Sequence, residues 1–193
     1  MYEPDFKTPD WLKNGTMYQI FPDRFCEGKP NKVMPFADRI YRADKTGEPY
    51  FWPTEQSEGY LNMDYYGGDF AGIQQKLPYL RDLGVTCIYL NPIFEAHANH
   101  RYNTADYLKA DPLLGTNEEF SALCAAAEKA GYWTLQSTVL QDNAASRALH
   151  TKCGFRLVGR RERIARDCHG RWLDTFLMEY RAAANEPEGY KKL

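Results

Sequence analysis

No stretch of about 18 uncharged apolar residues occurs in this sequence, and its opening, MYEPDFKTPDW, lacks a basic segment leading into an apolar run. The reading is therefore a soluble chain without a signal peptide or a membrane-spanning helix. Cysteine is sparse: Cys26, Cys87, Cys124, Cys153 and Cys168 are odd in number, widely scattered and in no C-x-x-C arrangement. That pattern argues against a disulfide framework and against a cysteine-rich zinc site, and fits a reducing cytoplasm. No charge of one sign dominates, the formal net charge being -2, and neither a nucleic acid nor a membrane is expected as a partner. The balance nevertheless conceals an asymmetry, about -6 before Gly131 and about +4 from it onward. Two ordinary surfaces would explain it, and so would a basic segment facing an anionic cofactor.

The 193 residues, 44% of them apolar, suffice for one compact core or for two small ones. Residues 125–140, AAAEKAGYWTLQSTVL, divide the chain. An alanine-rich helix closes at Gly131, and a strand with period-two alternation follows. Upstream, TMYQI at 16–20 reads as a buried strand stopped by Pro22. Residues 21–69 carry turn formers and aromatics without periodicity, a loop long enough to be functional. Ile73, Leu77 and Leu80 share one helical face, with Pro78 tolerable only near a first turn, and Gly84 ends that helix before a strand at 85–90. After a second loop, 91–115, the Thr116-x-x-Glu119 capping box opens a helix burying Phe120, Leu123, Cys124 and Ala127. Alternating strands and helices with long loops after the strands predict a parallel sheet whose chemistry sits at the strands' C-terminal ends.

Three segments carry a resemblance: TPDWLKNGTMYQIFPDRFCEG, DYYGGDFAGIQQKLPYLRDLGVTCIYLNPIF and NHRYNTADYLKADPLLGTNEEF. Together, over residues 8–131, they resemble the start of an alpha-amylase family glycoside hydrolase barrel of neopullulanase or cyclomaltodextrinase flavour. The resemblance implies that Tyr102 is an aromatic platform under a sugar at the cleavage subsite, with His100 beside it. Asn103 stands where such enzymes often have aspartate, and Asp106 and Tyr107 hold the loop. An α-glucan oligosaccharide is the implied partner. The resemblance also implies a calcium site joining the loop after the first strand to the GGD segment, here Glu27, Lys29, Asn31 and Lys32 with Gly68 and Asp69. Lysine offers a cation where calcium needs oxygen, so calcium binding is expected to be weak at best. A retaining glycosidase further needs two carboxylates flanking the scissile bond, about 5 Å apart. The family places them on its fourth and fifth strands, which this sequence does not reach, and YWTLQSTVL replaces the family's third-strand region. No catalytic residue is therefore assigned.

Downstream, Asp142 and Asn143 can cap a short helix bearing Ala145, Leu149 and Cys153 near one face and ending at Gly154. Two β-rich runs, 155–165 and 171–180, flank turn residues 167–170 and predict an antiparallel hairpin made basic by Arg160, Arg161, Arg163, Arg166 and Arg171. Residues 131–181 resemble the closing part of a GNAT-type N-acetyltransferase of the phosphinothricin sort. That resemblance implies that Asn143 and Ser146 face the pantetheine arm of acetyl-CoA, and that His150 stands where a tyrosine often protonates the leaving thiolate. Histidine can donate a proton near neutral pH. The pyrophosphate-binding turn such enzymes need is not found upstream.

The sequence is thus read as an α/β hybrid: a partial (β/α) barrel start (βαβα, residues 1–131) joined to a GNAT-type βαββ end (132–193) in one mixed, mainly parallel sheet. Exposed sheet edges predict a homodimer or self-association. Three functions stay open: an α-glucan-acting glycoside hydrolase segment that retains sugar binding, an acetyl-CoA-dependent acetyltransferase remnant, and a non-catalytic chain. No cofactor is required with confidence.

Overall fold

The computed structural model describes residues 15–30, 33–35, 37–45, 48, 61–132, 134–166 and 170–182. The chain divides into two compact units, Met1–Ala130 and Gly131–Leu193. Among the described residues no helix is long and apolar enough to cross a membrane.

The first unit begins with β1 (Met17–Ile20), followed by the single-turn α1 (Pro22–Phe25), for which Pro22 presets the opening backbone angle. Two short strands, β2 (Ile40–Tyr41) and β3 (Asp64–Tyr65), pair in parallel. The helical stretch expected around Ile73, Leu77 and Leu80 forms as two pieces, α2 (Phe70–Gln75) and α3 (Leu77–Asp82). The break falls at Lys76, with φ -92 and ψ 0, because Pro78 has no N–H to continue the ladder and is accommodated in the first turn of α3. All three apolar side chains remain buried across the break. Gly84, at φ +81, closes α3.

β4 (Cys87–Leu90) then pairs in parallel with β1, Met17 opposite Cys87 and Ile20 opposite Leu90. The Gln19 amide donates to Asn91 Oδ1 at 2.7 Å and extends that pairing beyond the backbone. The loop expected over 91–115 contains an irregular antiparallel pair, β5 (Phe94–Ala96) and β6 (Thr104–Ala110). The capping box is formed as expected: Glu119 N–H donates to Thr116 Oγ1 at 3.2 Å, and Thr116 N–H donates to Glu119 Oε2 at 2.9 Å. It opens α4 (Asn117–Lys129). Of the four residues expected to be buried on α4, Leu123 is fully inside, and the Phe120 ring meets Phe70 of α2 at 5.3 Å.

Two aspartates stitch the loops of this unit. Asp23 accepts from the backbone N–H groups of Tyr66 and Gly67, and Asp69 accepts from those of Gly28, Lys29 and Gly72. Both are 1–2% exposed. The glycines permit this closeness: a Cβ on Gly68 would lie 2.0 Å from the Pro22 carbonyl oxygen, and one on Gly72 1.9 Å from that of Cys26. Deeper still, Arg101 and Asp111 are both 0% exposed and paired at 3.1 Å.

The second unit contains β7 (Thr134–Leu140), α5 (Ala144–Lys152), β8 (Arg156–Arg166) and β9 (Trp172–Arg181). Its sheet has the order β7-β9-β8 and is antiparallel throughout. The hairpin of β8 and β9 is as expected, but the single mainly parallel sheet is corrected: the described strands form four separate small sheets. β7 does not extend the β1–β4 pair. It pairs residue for residue with β9, from Thr134 opposite Arg181 to Leu140 opposite Thr175, so β9 is hydrogen-bonded on both edges. Asp174 reinforces this arrangement, accepting from Arg163 N–H at 2.8 Å and Arg160 Nε at 2.5 Å where β8 bulges. Those donors hold its carboxyl below the usual range.

Removing one partner of the buried Arg101–Asp111 pair leaves an uncompensated charge. Arg101→Met is expected to lower stability by about 3–5 kcal/mol in urea unfolding, and Arg101→Met/Asp111→Leu to recover most of that loss. Equal losses in the single and double variants would contradict this.

Candidate functional site

The sharpest local geometry lies between β5 and β6. Arg101 adopts φ +59, a left-handed conformation uncommon outside glycine, and its guanidinium is drawn fully inside to Asp111 and, at 2.7 Å, to the Asn99 carbonyl. Asn99 is itself held by Asp64, donating to both its backbone and side-chain oxygens at 3.0 Å. With Arg101 turned inward, its neighbours His100 and Tyr102 come together, ring centroids 5.8 Å apart. Tyr102 N–H donates to His100 Nδ1 at 3.0 Å, which requires a neutral imidazole carrying its proton on Nε2. Burial, and then the Arg101 charge, push the His100 pKa down.

The Tyr102 side chain is 60% exposed. Its phenol also interacts with Tyr89 at the end of β4; desolvation and this neighbour raise its pKa. The structure therefore brings together the two residues expected at a sugar platform, and adds Tyr89. Period-two alternation in CIYL marks Tyr89 as facing away from Ile88, but that signal alone does not give it a role. Asp106 accepts from Leu108 N–H at 2.8 Å, and the Tyr107 ring packs on Phe94 at 5.7 Å.

The residues expected to hold calcium do not fit it. Both Asp69 oxygens accept backbone N–H groups, capping α2 and securing Gly28 and Lys29. Glu27 accepts from the Tyr41 hydroxyl at 2.5 Å and pairs with the Lys45 ammonium at 3.1 Å. Lys29 pairs with Glu119. Gly68 N–H donates to the Asp23 carbonyl at 2.8 Å. Asn31 and Lys32 lie outside the described residues. Among the described residues no group of three or more His, Cys, Asp or Glu side chains is placed to hold a metal.

On the second unit, Asn143, Ser146 and His150 gather along one side of α5. Asn143 Oδ1 caps the helix by accepting Ser146 N–H at 2.9 Å, and Ser146 is buried. His150 Nδ1 lies 2.7 Å from the Ser146 carbonyl, so Nδ1 carries a proton and donates it there. A proton for a leaving group would have to come from Nε2 of the imidazolium. The Phe155 ring packs edge-on against His150 at 5.0 Å.

Residues 19–147 match the family model for the alpha amylase catalytic domain. The chain belongs to the alpha-amylase family. It is 39% identical over 142 residues to an amylopullulanase of Thermoanaerobacterium saccharolyticum, covering 68% of this chain and 11% of the relative. To a cyclomaltodextrinase of Geobacillus thermopakistaniensis it is 40% identical over 126 residues, 65% of this chain and 19% of that one. A solved maltogenic amylase from S. marinus matches at 38% identity and a TM-score of 0.50, over 68% of this chain and 17% of that chain. The chain thus spans 8% to 20% of the curated relatives it matches. The alpha-amylase match runs past Gly131 through β7 to Arg147. The acetyltransferase resemblance of residues 131–181 rests on its sequence motifs alone.

Because Nδ1 of His100 accepts a hydrogen bond when neutral, acid must break that bond. Nuclear magnetic resonance titration should give His100 a midpoint below its ordinary 6.5. The native state then binds fewer protons than the unfolded chain, so the stabilisation is complete above pH 6.5 and is lost as pH falls through the folded midpoint. A midpoint above 6.5 would contradict the geometry.

Proposed function

We propose that this chain provides the opening segment of an α-glucan-acting glycoside hydrolase, of the pullulanase and neopullulanase kind, and that its own contribution is sugar binding at Tyr102, His100 and Tyr89. The observation that carries this reading is the exposed Tyr102 ring, set against a neutral imidazole on a loop whose next residue, Arg101, is anchored inside the fold. An aromatic face suits the C–H surface of a glucose ring, and a rigid backing limits the entropy lost on binding. Membership of the alpha-amylase family and the amylopullulanase, cyclomaltodextrinase and maltogenic amylase names of its relatives support the substrate class.

Bond cleavage asks for more. Among the described residues, Asp23 and Asp64 share the Arg24 guanidinium, and both are 2% exposed. Burial raises the Asp23 pKa, with Arg24 opposing. Buried in this way, these two carboxylates organise loops.

A second reading attaches to the C-terminal unit, where Asn143, Ser146 and His150 share one side of α5. Acetyl-CoA contact along that helix is its content, and an absence of binding at millimolar acetyl-CoA in calorimetry removes it.

Tyr102→Ala is expected to weaken maltooligosaccharide binding about tenfold, about 1.4 kcal/mol, with Tyr102→Phe losing much less. Calorimetric titration of both variants tests this; an unchanged affinity for Tyr102→Ala would overturn the proposal.

A further inference from the structure

The loop following β1 and the loop preceding α2 carry the donors that the family resemblance implies for calcium, yet the cation in this place belongs to the protein. Lys45 Nζ lies 3.1 Å from Glu27 Oε2, 2.7 Å from the Tyr41 hydroxyl and 2.6 Å from the Tyr66 carbonyl oxygen. These three groups come from separate stretches of chain: Glu27 follows α1, Tyr41 is on β2, and Tyr66 follows β3. The other Glu27 oxygen accepts from Tyr41 and sits against Gly67, where a Cβ would meet it at 2.7 Å. One carboxylate, one carbonyl and one hydroxyl around a single positive centre is an oxygen cage of the chemical kind that receives a metal ion. Here an ammonium fills it.

We infer that Lys45 is a built-in cation that joins these loops in place of a bound divalent metal, making the unit's stability independent of calcium. Three features support the substitution. Calcium asks for six to eight oxygens, and both oxygens of Asp69, another carboxylate at this end of the unit, already accept backbone N–H groups, three in all. Lys29 points the same way, its ammonium paired with Glu119 across to α4. An ammonium also has three donors, matching the three oxygens that surround Lys45. Among the described residues, the charged and titratable groups facing this ammonium are Glu27 and Tyr41, and the Tyr66 ring has Arg24 over its face at 4.3 Å, so these residues provide no second carboxylate for a divalent ion.

The test is thermal unfolding of the full chain with excess chelator and again with 5 mM calcium chloride (about 500-fold or more above the dissociation constants of sensor-type sites), for the unaltered protein, Lys45→Met, Glu27→Gln and the double variant. The inference requires a Tm for the unaltered protein that is the same in both solutions. It also requires each single variant to lose about 2–4 °C and the double variant to lose little more than either single one, since the two groups act as a pair. A rise in the unaltered protein's Tm with calcium overturns the inference, as do strictly additive losses. If Lys45→Met gives no cooperative transition, Lys45→Arg takes its place in the comparison: a Tm nearer to the unaltered protein than that of Glu27→Gln supports a cation role, and a Tm below it does not.

Discussion

Buried carboxylates receiving backbone N–H groups are the constraint on which the first unit depends. Its strands are two to seven residues long and its sheets two-stranded, so hydrogen bonds between strands account for little of the loop backbone. An unpaired buried N–H is costly, and Asp23 and Asp69 meet that requirement for Tyr66, Gly67, Gly28, Lys29 and Gly72. Arg24 in turn offsets the charge of Asp23 and of Asp64, and Asp64 holds Asn99, whose carbonyl receives Arg101. One chain of polar contacts therefore runs from the end of β1 to the residue between His100 and Tyr102. Geometry at the proposed sugar platform is inherited from loops more than a strand's length away in sequence.

Local signals made the regular elements legible. β-rich runs bounded by Pro22 and Gly84, the Thr116–Glu119 box and the two runs that form β8 and β9 each correspond to an element of the structure, while turn residues 167–169 lie outside the described residues. The division of one helix into α2 and α3 was also foreshadowed by Pro78, whose effect depends on how near it falls to a helix start. Sheet composition was not legible in the same way. β7 has the alternation of a strand able to join a parallel sheet or an antiparallel one, and its partner is chosen by a seven-residue register with β9 that no local pattern encodes. Within 21–69, the described segments at 23–29 and 64–69 are held by aspartates and glycines rather than by an apolar face, so they carry no periodicity.

The proximity of Tyr102 and His100 is legible because they sit together in one short motif. That of Tyr89 is not, since it arrives from β4 and becomes a neighbour only through the fold. Arg101 lies within the motif, but its inward turn depends on Asp111, ten residues on, and on a positive φ. Lys29 stands out in the expected calcium segment because lysine offers a cation there, whereas Lys45 lies outside any motif and is identified by its three oxygen neighbours.

Amide hydrogen exchange at residue resolution tests the dependence on buried carboxylates most directly. If Asp23 and Asp69 organise the unit, the amides of Gly28, Lys29, Tyr66 and Gly67, all in irregular loops, should exchange as slowly as those in the middle of α4, because their opening requires the unit to unfold. Exchange of these four amides at the rate of an exposed turn, with α4 still protected, would show that the aspartates decorate the loops without holding them.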